Sequence, residues 1–444
     1  MDYNINELIE EKKFTILKEE LHKMMEADLA DVLEELDEEM MTKVFRMLSK
    51  DKAADTFAYL NRDKQKYIIN VITDNEIQRI ISEMFLDDAV DFIEEMPSNV
   101  VKRVLKNVSP QMRETINRFL SYPEDSAGTI MTIEYVELKK DITVAQAFEQ
   151  IRKTGVDKET IYTCYVIDAH RRLLGTVSAK ALLLSNEEDL IGDIMTEHVI
   201  SVETTDDREK VLELFSKYGM LAVPVVDHDK MLVGIITMDD AFMIQEDEVT
   251  EDFEIMAAIS PSETPYLQTS VLKLASSRIL WLLLLMLSAV ITGSIISHFE
   301  NSLSALPMLI AFIPMLMDTG GNSGSQSSVL AIRGMAVHEI EPSDFLKVIW
   351  KELRIALICG FALSIVNFAR VLLSYSADVK LAITVSFALY CTVIMAKIIG
   401  CSLPMLAKKI KLDPAVVATP LITTVVDATS LLIFFTVAKM MFHL

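Results

Sequence analysis

Apolar positions follow three regimes along these 444 residues. Over roughly the first 120, they recur at helical spacing in short blocks: ADLADVLEEL from Ala27, DKAADTFAYL from Asp51 and DDAVDFIEEM from Asp87. The blocks are offset by 24 and 36 residues, both multiples of twelve, in a stretch without glycine and with only Pro97 and Pro110 as prolines. Short helices returning about every twelve residues predict a stacked helical superhelix, each unit burying its stripe on its neighbours. Asp31, Asp55 and Asp91 recur ahead of these stripes, and Asp31 and Asp55 read as helix N-terminal residues favoured by capping and the helix dipole.

The second regime alternates strand and helix signals and is internally duplicated. AGTIMTIEYVELKKDITVAQAFEQI from Ala127 matches IGDIMTEHVISVETTDDREKVLELF from Ile191, and YVIDAHRRLLGTVSAKALL from Tyr165 matches PVVDHDKMLVGIITMDDAF from Pro224. Each unit reads as strand, helix, strand, turn, strand, helix, which predicts a mixed sheet covered by helices. The pair resembles tandem cystathionine-β-synthase (CBS) modules, which often hold adenine nucleotides between them. On that resemblance Thr237 and Asp240 in GIITMDD could hydrogen-bond a ribose, whereas the first unit, GTVSAKALL, has Ser178 and Lys180 without the acid. ATP binding and no nucleotide at all both stay open.

The third regime is apolar at membrane length. Five stretches, about 279–298, 303–331, 353–374, 381–405 and 414–440, can each cross a bilayer, which takes about 20 apolar residues. Lys273, Arg278, Arg333, Lys347, Lys351, Arg354, Lys408, Lys409 and Lys411 flank one set of ends. By the positive-inside rule this predicts a cytoplasmic N-terminus and an external C-terminus. An odd number of spans makes a symmetric homodimer a plausible complete unit.

Two spans depart from simple anchors. PMLMDTGGNSGSQSSVLAIR from Pro314 places Asp318, Thr319, Gly321, Asn322, Gly324 and Gln326 where leucines would serve. Polar, Gly-rich backbone at membrane depth is tolerated only inside protein or along water. Small-residue packing explains the glycines but not the amides and the acid, so a polar conduit is preferred. In the last span Thr419, Thr423, Asp427 and Ser430 share one helical face, and Pro420 is expected to free a backbone carbonyl beside it. Such a face is an oxygen-lined wall suited to a cation.

Charge sharpens the picture. The chain carries a net charge of −23, yet from Arg278 onward there are 12 basic and 9 acidic residues, leaving 30 basic and 56 acidic residues in the first 277. An acidic front repels nucleic acid and attracts cations. The N-terminus, MDYNINELIEEKKF, lacks the apolar core of a signal peptide, so the front half is expected to stay in the cytoplasm. Cys164, Cys359, Cys391 and Cys401 have no CxxC spacing and read as reduced packing residues. No P-loop and no nucleophile–base set points to an enzyme.

GGNSGSQSS in the second span, KLDPAVVATPLITTVVDATS entering the fifth, YLQTSVLKLASSR before the first, and tandem CBS modules behind an acidic helical domain together resemble the MgtE family of magnesium channels. The resemblance implies a homodimer in the plasma membrane whose second and fifth helices line one pore, closed by cytosolic Mg²⁺. It places the pore acid on Asp427 and a pore-lining polar position on Thr419. It maps regulatory metal ligands to Asp87, Asp88 and Asp91, and to Asp206, Asp239, Asp240, Asp247, Glu248, Glu251 and Asp252. The expected divisions are 1–122 helical superhelix, 123–250 CBS pair (about 123–188 and 189–250), 251–277 linker and amphipathic connecting helix, and 278–444 membrane pore domain. Two copies of Asp427 facing each other would be relieved better by a divalent ion than by K⁺. A secondary transporter coupling Mg²⁺ to Na⁺ or H⁺ remains a rival reading, as does a membrane-anchored sensor without transport.

Overall fold

The computed structural model describes residues 5–11, 13–262, 266–267, 269–299, 306–374, 378–417 and 419–443. The chain forms two compact units, 1–245 and 246–444.

In the first unit the twelve-residue period becomes geometry. Among the described residues, nine successive helices begin at residues 14, 26, 38, 50, 62, 74, 86, 98 and 110. Most are ten residues long and joined by two residues of extended backbone, although four residues separate the first helix from the second and the third from the fourth. From Leu60 on, the first linker residue is apolar and turns inward: Leu60, Ile72, Met84, Met96 and Val108 are all buried, each twelve residues after the last. At four of the two-residue junctions the second residue caps the next helix. Asp37 accepts from the amides of Glu39 and Met40, Asn61 from Lys64 and Ser109 from Met112, and Thr73 forms a capping box with Glu76. Asp31, Asp55 and Asp91 are therefore not caps. Each is the sixth residue of its helix (Glu26–Glu35, Lys50–Tyr59 and Leu86–Glu95) and exposed. Alternate helices pack together, giving the stacked superhelix.

The duplicated region folds as two like units. In the first, β1 (Tyr135–Lys139) pairs in parallel with β2 (Thr160–Ile167), which pairs antiparallel with β3 (Leu173–Ser178). In the second, β4 (Val202–Glu203), β5 (Ala222–Val226) and β6 (Leu232–Thr237) repeat that order. Helices Val144–Thr154 and Arg208–Tyr218 make the crossovers that parallel pairing requires. The two hairpin turns meet: the amide of Leu173 donates to the Lys230 carbonyl (3.1 Å) and that of Leu232 to the Arg171 carbonyl (2.9 Å). Arg171 and Lys230, equivalent under the duplication, both adopt positive φ, 63° and 62°. The acidic stretch from Met238 continues as one helix, Met238–Met256.

The second unit holds five long helices: Val271–His298, Ile313–Ala336, Phe345–Ser374, Val379–Lys409 and Thr419–Phe442. Four of these segments are long and apolar enough to cross a membrane, and Ile313–Ala336 is the polar exception. The connecting helix expected before the first span is not a separate element. Tyr266, Leu267, Thr269 and Ser270 are not helical, and from Val271, capped by Ser270, the helix runs unbroken through the span. The second span packs against the fourth and fifth, and glycines set how closely. A Cβ on Gly400 would lie 2.1 Å from the Gly324 carbonyl oxygen, and one on Gly320 would lie 2.7 Å from Ser430 Oγ. Side chains cannot fit where backbones meet. Gly400→Ala should therefore force the second and fourth spans apart and cost about 1–3 kcal/mol or more. Thermal melting of detergent-purified protein by fluorescence-detected gel filtration should show a drop of several degrees, and an unchanged melt would refute this contact.

Candidate ion-binding sites

The second span is two-faced. Gly320, Gly321, Ser323, Gly324, Ser327 and Ser328 are buried, whereas Asp318, Asn322 and Gln326, at i, i+4 and i+8, are exposed along one stripe. The conduit and packing readings thus divide one helix: small residues seat it and polar ones face outward. Asp427, half-buried on the fifth span, lies beside the glycine face, its Oδ1 4.0 Å from the position of a Cβ on Gly321. The Asp318 carboxylate is close enough to act on it electrostatically. Ser325 Oγ and Ser430 Oγ are buried without hydrogen-bond partners.

The carbonyl that Pro420 could free is that of Val416, four residues earlier and ahead of the helix, so no helical acceptor is freed. The carbonyl of Pro420 itself accepts from Thr423 Oγ1 and Thr424 Oγ1 at 2.9 and 3.0 Å. The helix begins at Thr419, so Pro420 lies in its first turn, where a missing N–H breaks no helical bond. The side chain of Thr419 lies outside the described residues.

A buried polar chain that the sequence reading missed links three spans. Ser327 Oγ donates to Glu352 Oε2 at 2.7 Å, and Lys397 Nζ donates to Ser327 Oγ at 3.3 Å. All three side chains are buried at membrane depth. Ionisable groups there are costly unless paired, and this chain pins the second span, through its seating face, to the third and fourth.

In the first unit, elements distant in sequence bring carboxylates together. Asp87 and Asp88 open the helix Leu86–Glu95, Asp239 and Asp240 open the helix after β6, Glu134 precedes β1 and Glu159 precedes β2. None of the six forms an ion pair among the described residues. Burial, then the charges of Asp240 and Asp55, lift Asp88 to about 6. Burial, then Asp240 and Asp239, lift Glu159 to about 7, and Glu159 Oε2 is buried without a hydrogen-bond partner. Asp87 is raised well above the usual carboxylate range by burial and Asp240, and Asp240 is raised by burial. Glu134 and Glu159 were not legible as members, because only the fold carries them to Asp88 and Asp240. Among the described residues no three His, Cys, Asp or Glu side chains already converge at metal-ligand spacing. The donors are all carboxylate oxygens, which suit a hard cation that keeps part of its water shell.

The other predicted ligands lie elsewhere. Asp206 is bound to Lys210 at 2.7 Å and accepts from the Glu203 amide at 2.8 Å, which holds it in its turn. Asp91 is on the exposed face of the helix that bears Asp88. Asp247, Glu248, Glu251 and Asp252 belong to the second unit, where burial, then Asp413 and Glu248, raise Asp252. Thr237, buried, donates through Oγ1 to Asp240 Oδ2, so the two candidate ribose contacts hold each other.

Comparison with known proteins agrees along the chain. The family described as the MgtE intracellular N domain matches residues 24–125, CBS domains match 127–186 and 191–246, and the MgtE divalent cation transporter family matches 313–437. The magnesium transporter MgtE of Thermus thermophilus is 32% identical over 441 residues, covering 99% of this chain and 98% of that protein. The magnesium transporter MgtE of Bacillus subtilis is 31% identical, covering 98% and 96%. A crystal structure of the cytosolic domain of the Mg²⁺ channel MgtE in complex with ATP aligns with TM-score 0.52 and 31% identity, covering 54% of this chain and 98% of that one. Matches to enzymes cover much less of the chain, 28% for an inosine-5'-monophosphate dehydrogenase. With full-length relatives above 30% identity and all three regions matched in order, this chain belongs to the MgtE family of magnesium transporters.

Proposed function

We propose that the chain is a Mg²⁺ channel in the plasma membrane, a homodimer with its N-terminus in the cytoplasm and its C-terminus outside, and that cytosolic Mg²⁺ closes it. The observation that carries the pore reading is the stripe Asp318, Asn322 and Gln326, exposed on a helix of membrane depth, with Asp427 close by. Such a face is unstable against lipid and needs water or a second subunit. A second copy placed against it would enclose a passage lined by carboxylates, amides and hydroxyls. Hydrated Mg²⁺, reluctant to lose its waters, fits such a lining through hydrogen bonds from its water shell.

Closure by Mg²⁺ follows from the carboxylate cluster of the first unit. Without a cation, Asp87, Asp88, Glu134, Glu159, Asp239 and Asp240 repel across the junction of the helical domain and the CBS pair. Mg²⁺ would bridge them and favour the docked arrangement over the separated one; a ligand shifts such an equilibrium only by its differential affinity. Asp91 in the first unit, and Asp247, Glu248, Glu251 and Asp252 in the second, are the further acids assigned to regulatory ions on the family resemblance. Nucleotide at Thr237 and Asp240 would have to break their mutual hydrogen bond and enter this acidic neighbourhood, so ATP there would enter with Mg²⁺ neutralising its phosphates.

Asp427→Ala should insert and purify normally yet reduce Mg²⁺ flux into reconstituted vesicles at least about tenfold; unchanged flux would remove Asp427 from the pathway. Currents far above carrier turnover, without dependence on Na⁺ or H⁺ gradients, would separate a channel from a coupled transporter. The cluster also predicts a pH dependence. Asp88 and Glu159 are raised above ordinary carboxylate values, so their protonated forms favour the docked state. Docking is strongest below about pH 4, the usual carboxylate range, and weakens as pH rises through 6 to 7. In Mg²⁺-free full-length protein, protease cleavage in the first unit should accelerate between pH 5.5 and 7.5, and millimolar Mg²⁺ should suppress it. Asp88→Asn with Glu159→Gln should flatten both responses; cleavage indifferent to pH and Mg²⁺ in the parent would be evidence against the switch.

A further inference from the structure

Where the helical domain meets the CBS pair, along the chain segments that flank Glu134 and Glu159, there is a cavity of about 610 Å³ whose charged lining side chains are mostly of the opposite sign. That volume lies within the usual range of small-molecule sites, about 300–1,000 Å³. Three cations border it: Arg118 from the last turn of the helix Pro110–Phe119, Lys158 ahead of β2, and Arg171 from the β2–β3 turn. Glu137 is the single carboxylate in the lining. In a chain of net charge −23 this is a local inversion.

Glu137 is already taken, since its Oε2 lies 3.4 Å from Arg171 Nη2. Arg118 and Lys158 form no ion pair among the described residues, although acids outnumber bases 65 to 42 in the chain. Arg171 is held ready. Its Nη2 donates to the buried Tyr135 Oη at 2.9 Å, Tyr135 Oη donates to the Leu232 carbonyl at 3.2 Å, and its own carbonyl accepts from the Leu232 amide. Three cations against one carboxylate leave Arg118 and Lys158 without a counter-charge, a deficit that an oxyanion relieves and that arginine can meet in a two-pronged fashion. Ile133, Met231 and Val233 add apolar surface to the lining.

We propose that this cavity binds a small phosphate ester, its phosphate held by Arg118, Lys158 and Arg171 and its organic part resting on Met231 and Val233. The site is not the Thr237–Asp240 pair. Val233 and Thr237 lie near opposite ends of β6, four residues or about 13 Å apart along the strand. Because Arg118 belongs to the helical domain and the remaining contacts to the CBS pair, the bound ester ties the two together. The proposal does not rest on ion conduction.

The test uses full-length protein in detergent, free of Mg²⁺ and at low ionic strength, with AMP as the titrated probe in calorimetry. Inorganic phosphate and adenosine serve as competitors. AMP should bind saturably, inorganic phosphate should compete more weakly, and adenosine should not compete. Arg118→Gln and Lys158→Met should each weaken AMP binding about tenfold, the loss of one charge-assisted contact. Both replace side chains outside the core, so gel filtration should be unchanged. Absence of saturable AMP binding, adenosine competing as well as AMP, or AMP binding unchanged in both Arg118→Gln and Lys158→Met would each overturn the assignment.

Discussion

A carboxylate removed from bulk water needs a positive partner, and at the two principal acidic sites of this chain none is supplied among the described residues. Asp87, Asp88, Glu134, Glu159, Asp239 and Asp240 face one another with no ion pair among the described residues, and burial drives Asp88 and Glu159 toward neutral pH. Asp427 sits in a membrane span with Asp318 as its charged neighbour. In the soluble cluster desolvation and like-charge repulsion act in the same direction. The proposed function supplies a mobile cation at both places, one as cargo and one as regulator.

Around these unstable centres the scaffold is tightly determined. In the membrane unit, contacts at Gly320, Gly324 and Gly400 bring helix backbones together, and the Ser327–Glu352–Lys397 chain fixes the second span against the third and fourth. Holding one face of that helix so firmly leaves its other face, Asp318 to Gln326, free to be defined by whatever lies across from it. Close packing on one side and polarity on the other are properties of the same dozen residues.

Much of this was legible in the sequence where a pattern is local. The twelve-residue period gave the superhelix, the duplication gave two sheets of identical order, and the polarity of 314–333 marked the second span. Phase was harder. The recurrence of Asp31, Asp55 and Asp91 shows the period but not where each helix starts, and the buried linker residues Leu60, Ile72 and Met84 place those aspartates in mid-helix instead. Pro420 was misread for a related reason: in a first turn a proline frees no carbonyl, and two threonines occupy the one it carries. Glu134, Glu159, Glu352 and Lys397 could not be found along the chain, because each acquires its role only from residues far away in sequence.

The repeat has one further implication. When each helix starts twelve residues after its predecessor and the connectors from Leu60 to Val108 each bury one apolar side chain, a whole helix–linker unit can be gained or lost there while the helices on either side re-form equivalent junctions. A change of any other length would rotate later stripes out of the core. The size of such a domain is thus quantised, and its natural variation should come in whole steps rather than as gradual drift.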